Sequence, residues 1–445
     1  MTAAPTQKRS LGLIQATAIN MTDMVGIGPF ITLPMVISMM NGPYFLYAWL
    51  AGAFLSVIDA MVWSELGAAF PMAGGSYNFL KETFGKNGVG KLMSFLFVWQ
   101  TMIQAPLVIA SASIGFAYYF SYLVPVSPIM SKAISGGVVI LIVALLYRKI
   151  EAIGKISVVM WAAVILTLFW IIGGGIAHGN FLGPIKQIND GLTVNYAFIT
   201  AIGFASVKSV YSYLGYYNVC HLGGEIINPA KNIPRSMFLS ILGITVLYLA
   251  MNISVVSVIP WEQAKDSKFV ISAFMQILAG PTAAKLVTCL VLVVAFASVF
   301  SATLGYSRIP YAAAADGSFF KVFAKLHPKG NFPYVSLLFI GAIAFIFSLL
   351  FKLSDVINAI LAMRILVQFI AQAIGLLLLR RLRTQDFPFK MPFFPWPVYI
   401  AIMMWLGILL STGYVMVLGG VLTTALGAGV YLVKAKLKKE WPFVK

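Results

Sequence analysis

Residues 23–30 read DMVGIGPF and lie inside an apolar run, Leu11 to Met40, long enough to cross a lipid bilayer. An aspartate, two glycines and a proline in the middle of a spanning helix free backbone groups that lipid cannot hydrogen-bond. Such a break survives only where protein buries it or a cavity faces it. The stretch therefore predicts a helix interrupted beside a cavity.

The rest of the chain fits a membrane setting. Its 445 residues are 60% hydrophobic and 10% charged, with a mean hydropathy of +0.92. No soluble core needs that much apolar surface, so the chain reads as an all-α integral membrane protein. The net charge of +18 is no nucleic-acid footprint, because the basic residues cluster between apolar runs. Cys220 and Cys289 fall in apolar segments and are expected to be buried thiols rather than a disulfide framework. The start, MTAAPTQKRS, has no signal-peptide core or cleavage site, and the first span is expected to stay in the mature protein.

Hydropathy with Gly, Pro and charge punctuation places twelve spans near 11–38, 43–68, 90–120, 132–147, 156–176, 194–224, 236–259, 281–311, 334–352, 355–380, 394–415 and 417–434. Counted over alternate loops from the N-terminus, 23 lysines and arginines lie on one side and 6 on the other. Both termini are thus expected in the cytoplasm, residues 1–10 as a tail and 435–445 as a basic tail.

A second interruption, YSYLGYYN at 211–218, falls in the sixth span. Five spans separate the start of span 1 from that of span 6, so the two enter from opposite faces. Broken helices at matching places in oppositely oriented units are the mark of an inverted-repeat transporter, with the substrate near the midplane. The repeats cover about 11–176 and 194–380 of a core at 11–380, and the spans at 394–434 are additional. A helix beginning anew around Val25, Gly26, Ile27 and Gly28 offers unpaired N–H groups that suit a carboxylate, and glycine lets a ligand approach. A helix ending around Tyr213–Tyr216 offers carbonyls that suit an ammonium. Together they fit an α-amino acid. The alternative is that each break is a packed kink.

At these residues the chain resembles the amino acid–polyamine–organocation (APC) superfamily, nearest its L-type amino acid transporter branch. The carriers of the resemblance are GIGPF with Pro34, the sixth-span YSYLGYYNVCHLGGEIINPAKNIPRS, SELGAAFPMAGGSY at 64–77 and SRIPYAAAADG at 307–317. The resemblance implies a LeuT-like 5+5 inverted repeat with helices 1 and 6 broken, alternating access, and transport of amino acids or related amines. It implies that Tyr211 closes over substrate from outside and that Ser212, Tyr213 and Gly215 form the unwound stretch. The sequence departs from the family where Tyr216 replaces a tryptophan and where Gly224–Glu225 replaces paired glutamates. The lysine many members carry midway along helix 5 has its only counterpart in Lys155, which aligns too early. The loop YLVPVSPIMSK lacks the cysteine through which L-type transporters join a heavy chain, so no such disulfide is expected.

Asp23, Asp59, Lys208 and Arg364 fall within spans, where an ionised group is costly unless paired or wet. Asp23 and Lys208 lie about a turn before the two breaks. Each either borders the cavity, coupling transport to protons or touching a substrate side chain, or belongs to a fixed ion pair. Asp59 and Arg364 neighbour neither break and are expected to be structural. Glu65 and Glu225, at helix ends near basic loops, are read as inner-gate members or as solvated ends. Ser298 and Ser301 share a helix face and either serve a cation site or substrate, or bond back to their own helix. Gln104 and Gln368 are polar enough to line the path.

No metal-ligand spacing, P-loop, dinucleotide fingerprint or nucleophile–base set is legible, so neither an enzyme nor a cofactor is expected. The expectation is a plasma-membrane secondary transporter of small or neutral amino acids, coupled to protons (sodium being the lesser candidate) or working by exchange. A polyamine or cationic-amine carrier using Asp23, and a sensor that binds without transport, are the alternatives.

Overall fold

Helices make up the regular structure of the described residues, apart from one bridge pairing Leu11 with Ile226. The computed structural model describes residues 9–443 except 73, 86–87, 148–152, 329, 331 and 383–386, and the side chains of 153–161 also lie outside the description, Lys155 among them.

The first apolar run forms α1 (Leu13–Met24) and α2 (Gly28–Met40), which meet at an angle of 53°. Val25 leaves helical geometry, and Pro29 sits in the first turn of α2, where a missing N–H costs nothing. Next come α3 (Leu46–Ala69), α4 (Ser76–Thr83), α5 (Val89–Leu123), α6 (Pro128–Leu146), α7 (Ile153–His178) and the short α8 (Gly183–Lys186). Ser127 caps α6 through Met130 N–H at 3.3 Å.

The second interrupted span is α9 (Tyr196–Tyr213) and α10 (Asn218–His221). Leu214 is extended there and Gly215 has φ +123°, a conformation that side chains rarely tolerate. The chain continues as α11 (Pro229–Val256), α12 (Trp261–Ala264), α13 (Val270–Tyr306, bent at Gly280–Pro281), α14 (Arg308–Ala315) and α15 (Tyr334–Leu350). Then α16 (Leu353–Arg364) widens into a π-helical stretch, Ile365–Ala371, before α17 (Gln372–Leu382). The last helices are α18 (Trp396–Ser411) and α19 (Tyr414–Lys438).

Each of the twelve apolar stretches holds a helix or helix pair. Among the described residues seven helices are long and apolar enough to cross a bilayer alone, and the bent α1–α2 pair adds an eighth. The continuous helix of α16 and α17 is the most enclosed, with 78% of its apolar window buried, whereas α19, at 17%, lies at the edge. Around this centre α2 packs on α9, α1 on α10 and α11, and α3 on α9, α11 and α18.

Cys220 is buried and Cys289 is exposed, and both are free thiols. Cys289, expected to be buried, lies exposed on α13 instead.

Candidate functional site

The two breaks interlock through glycine. A Cβ on Gly28 would stand 3.2 Å from Ser212 Oγ and 3.3 Å from the Tyr211 ring, and one on Gly215 would stand 2.9 Å from Asp23 Oδ2. A Cβ on Gly26 would meet Ser298 Oγ at 2.8 Å. A side chain at Gly215 or Gly26 pushes the second break from α1, or α13 from the first break, whereas at Gly28 the side chains of Ser212 and Tyr211 need give only slightly.

A backbone count locates the free polar groups. Gly26 N–H returns to Met24 O at 3.0 Å, and Phe30 N–H to Ile27 O at 3.2 Å. Among the described bonds this leaves the amides of Ile27 and Gly28 without a backbone acceptor, which narrows the expected donor set, since Gly26 is spent. In the second break the carbonyls of Tyr211, Tyr213 and Leu214 receive no backbone N–H, and of these residues Tyr211 and Leu214 line the cavity. Buried backbone groups are seldom left unpaired, so these ends are poised for a ligand or water.

Several residues that hold the breaks carry no signal of their own in the sequence. Tyr248 on α11 brings its hydroxyl 2.8 Å from Met24 O and 3.0 Å from Ser212 O, joining the carbonyl ends of both interrupted helices. Thr32 and Ser212 share a hydrogen bond of 3.0 Å between α2 and α9. Asn20 Oδ1 accepts Val219 N–H at 2.9 Å, tying α1 to α10, and Tyr119 donates to Phe30 O at 3.0 Å. Each is a polar side chain in an apolar run, but the partner lies far along the chain.

The cavity between the breaks measures about 100 Å³, and Asp23, Val25, Gly26, Gly28, Tyr211, Ser212, Ser298 and Ser301 line it. Ile27 turns away and packs against Gly115, and Tyr213 lies buried against Trp49 and Tyr248. Gly215 and Tyr216 are also absent from the lining. The hydroxyls of Ser298 and Ser301 have no bond back to their own helix, unlike Thr303, which bonds Val299 O at 2.6 Å. Tyr211, in the lining, shares a hydrogen bond of 2.8 Å with Ser111 on α5. From Ser301 in the lining an exposed stripe continues through Gly305, Arg308 and Ala312 along α13 and α14.

The four intramembrane charges do not pair with one another as a set. Asp23 is solvent-accessible inside the cavity, and Arg364 lines it too. Arg364 donates to the hydroxyls of Tyr217, at 2.5 Å, and Tyr306, at 2.9 Å, and its Nε is left without a partner. Asp59 is fully buried and accepts from Tyr216 OH at 2.5 Å and Trp405 Nε1 at 2.9 Å. Both residues, expected to be remote, thus hold consecutive tyrosines of the second break, because α3 and α16 fold against it. Lys208, expected near the cavity, does not line it. Its ammonium donates to Ser354 O, Ser354 Oγ and Asn358 Oδ1 at 3.0, 2.9 and 2.7 Å, binding α9 to α16. Gln104 and Gln368 are buried outside the lining with unpartnered amide nitrogens.

Glu65 is not at a helix end but inside α3, fully buried, paired with Arg380 and accepting Met391 N–H at 2.9 Å. Glu225 contributes its carbonyl, which takes the amides of Ser10 and Leu11 at 2.9 and 3.0 Å. At the same end Lys81 and Asp316 form an ion pair of 2.8 Å, joined by Tyr77 and Ser318. Burial raises the Asp316 carboxyl, but the bonds from Lys81, Tyr77 and Ser318 outweigh it and hold it below its ordinary range.

The family model described as amino acid permease matches residues 11–428. A branched-chain amino acid permease of Bacillus subtilis is 24% identical over 96% of this chain and 93% of its own length. A serine/threonine exchanger of the same organism is 23% identical over 89% of each chain. The human large neutral amino acids transporter small subunit 2 is 25% identical over 75% of this chain and 62% of its own. The chain belongs to the amino acid permease family, within the APC superfamily near its L-type branch; it is a multi-pass membrane protein, a permease rather than an enzyme.

Proposed function

We propose that this protein is a plasma-membrane secondary transporter of small or neutral amino acids, working by alternating access around the cavity between its two broken helices. One observation carries the reading: the amide of Gly28 and the carbonyls of Tyr211 and Leu214, none with a backbone partner, belong to residues that line the same cavity. Amides take the α-carboxylate, carbonyls take the α-ammonium, and a small side chain extends toward Ser298, Ser301 and Tyr306.

In this reading the chain crosses the bilayer twelve times with both termini cytoplasmic, and residues 11–380 form a LeuT-like inverted repeat. The crossed pairing of α2 with α9 and of α1 with α10 supports it, since oppositely oriented units must meet that way. The Tyr211–Ser111 bond closes the outer side, and the exposed stripe on α13 and α14 is the open path inward. Glu65 with Arg380, and Asp316 with Lys81, belong to the machinery that closes this inner side. Partnership with a disulfide-linked heavy chain is not part of the reading.

Asp23 in the cavity favours a cationic amine as the second reading, but Arg364 in the same lining repels a diamine. The deciding experiment is counterflow of labelled amino acids in proteoliposomes, preceded by a thermal-shift screen of amino acids and polyamines. Exchange of neutral amino acids is the expected result; stabilisation and flux with diamines alone overturn it.

A further inference from the structure

Asp59 occupies an unusual place. Its carboxylate has no exposure, and it sits in a cage of Trp63, Tyr216 and Trp405, with Trp405 stacked on Phe369 at 4.0 Å and Trp63 on Tyr217 at 4.6 Å. The other charged groups nearby are engaged elsewhere: Lys208 with Ser354 and Asn358, Arg364 with Tyr217 and Tyr306, Arg380 with Glu65. Helix α18 carries no charge, its Tyr399 being partly exposed, and Lys231 and Arg235 stand at the start of α11. Of the remaining titratable groups, Tyr248 serves the break carbonyls and His221 packs edge-on to Trp63 and Tyr217. Among the described residues no cation forms an ion pair with Asp59.

Its two partners are a tyrosine hydroxyl and an indole N–H. An indole N–H only donates, so Trp405 requires an acceptor. Tyr216 donates at 2.5 Å, short enough for a charge-assisted bond. The site as built suits a carboxylate, to which both partners can donate. A proton on Asp59 reverses the bond with Tyr216, which must then accept, and the charge assistance is lost. Tyr216 directly follows Gly215 in the broken stretch, so that change is felt where α9 stops and α10 begins.

We propose that Asp59 is the proton-binding residue that couples a proton gradient to substrate movement, its protonation weakening the hold on Tyr216 and with it on the second break. The proton enters from the outer solution when the break moves and leaves to the cytoplasm when the carboxylate is rebuilt against Tyr216 and Trp405. The role rests on the transport reading above and specifies its driving force.

The test uses the full chain in proteoliposomes with labelled L-serine and L-leucine as probes. Wild type accumulates probe when the outside is made acid; Asp59→Asn, neutral at every pH, loses that response and the pH profile of uptake but keeps counterflow. Tyr216→Phe, which removes one donor from the carboxylate, moves the pH midpoint of uptake upward. An Asp59→Asn protein that still accumulates probe in response to the gradient overturns the proposal. So does an unmoved midpoint in Tyr216→Phe, which decides the matter if the first variant fails to fold. Counterflow without any gradient response in wild type also overturns it, while leaving the amino acid transport reading standing; absence of counterflow removes that reading itself.

Discussion

The carboxylate of Asp23 lies where a side chain on Gly215 would begin. A Cβ there would stand 2.9 Å from Asp23 Oδ2, from Asp23 C and from Met24 N at once. At this point the first break is packed against the second too closely for a methyl group, and the backbone at Gly215 is also in a positive-φ conformation. Gly215→Ala meets both obstacles, and the expected cost is about 1–3 kcal/mol. Thermal unfolding in detergent would register it, together with a loss of uptake.

At Gly28 the neighbours are side chains, Ser212 and Tyr211, and φ is ordinary. Gly28→Val should therefore leave the fold intact while filling the ligand's approach to the free amides. Thermal stability near that of wild type with uptake abolished is the expected pair of results, and Gly28→Ala should lower uptake less than the valine does. Normal uptake by the valine variant would remove the amides of Ile27 and Gly28 from the site.

Asp23 faces the cavity and Asp59 does not. Asp23→Asn is accordingly expected to raise the KM for amino acids while the response to a proton gradient persists. If the pH profile of uptake flattens in Asp23→Asn, the coupling belongs to Asp23 instead.

Much of this arrangement could be read before the fold was known. Hydropathy located every long helix, and the Gly–Pro punctuation at 26–29 and Gly215 marked both breaks, because a bilayer penalises unpaired backbone wherever it occurs. The side chains were less legible. Distance along the chain made Asp59 and Arg364 look remote, yet α3 and α16 deliver them to Tyr216 and Tyr217. Lys208 looked adjacent to the cavity, but its position on α9 points it at α16. Apolar all-round helices have no moment that says which face meets protein, and for that reason Cys289 and the two glutamines were beyond sequence reasoning.

The Asp316 carboxyl is held below its unfolded value, so its contribution is complete above that value and is lost as pH falls through the depressed one. The Lys81–Asp316 latch should hence be indifferent to pH around neutrality. With side chains 25% and 47% exposed, Asp316→Asn should cost no more than about 1 kcal/mol, read as a small drop in thermal stability. A pH profile of uptake centred near neutrality and unchanged in Asp316→Asn would place its origin in the membrane interior.

Tyr248 has a single hydrogen to offer and two chain ends asking for it. When it turns to Met24, that carbonyl is served twice, for Gly26 N–H is already there, and Ser212 is left wanting. When it turns to Ser212, Met24 keeps its other donor. The thirst is therefore lopsided, and it sits on the α9 side, where a positively charged visitor can quench it by letting the phenol swing across to α1.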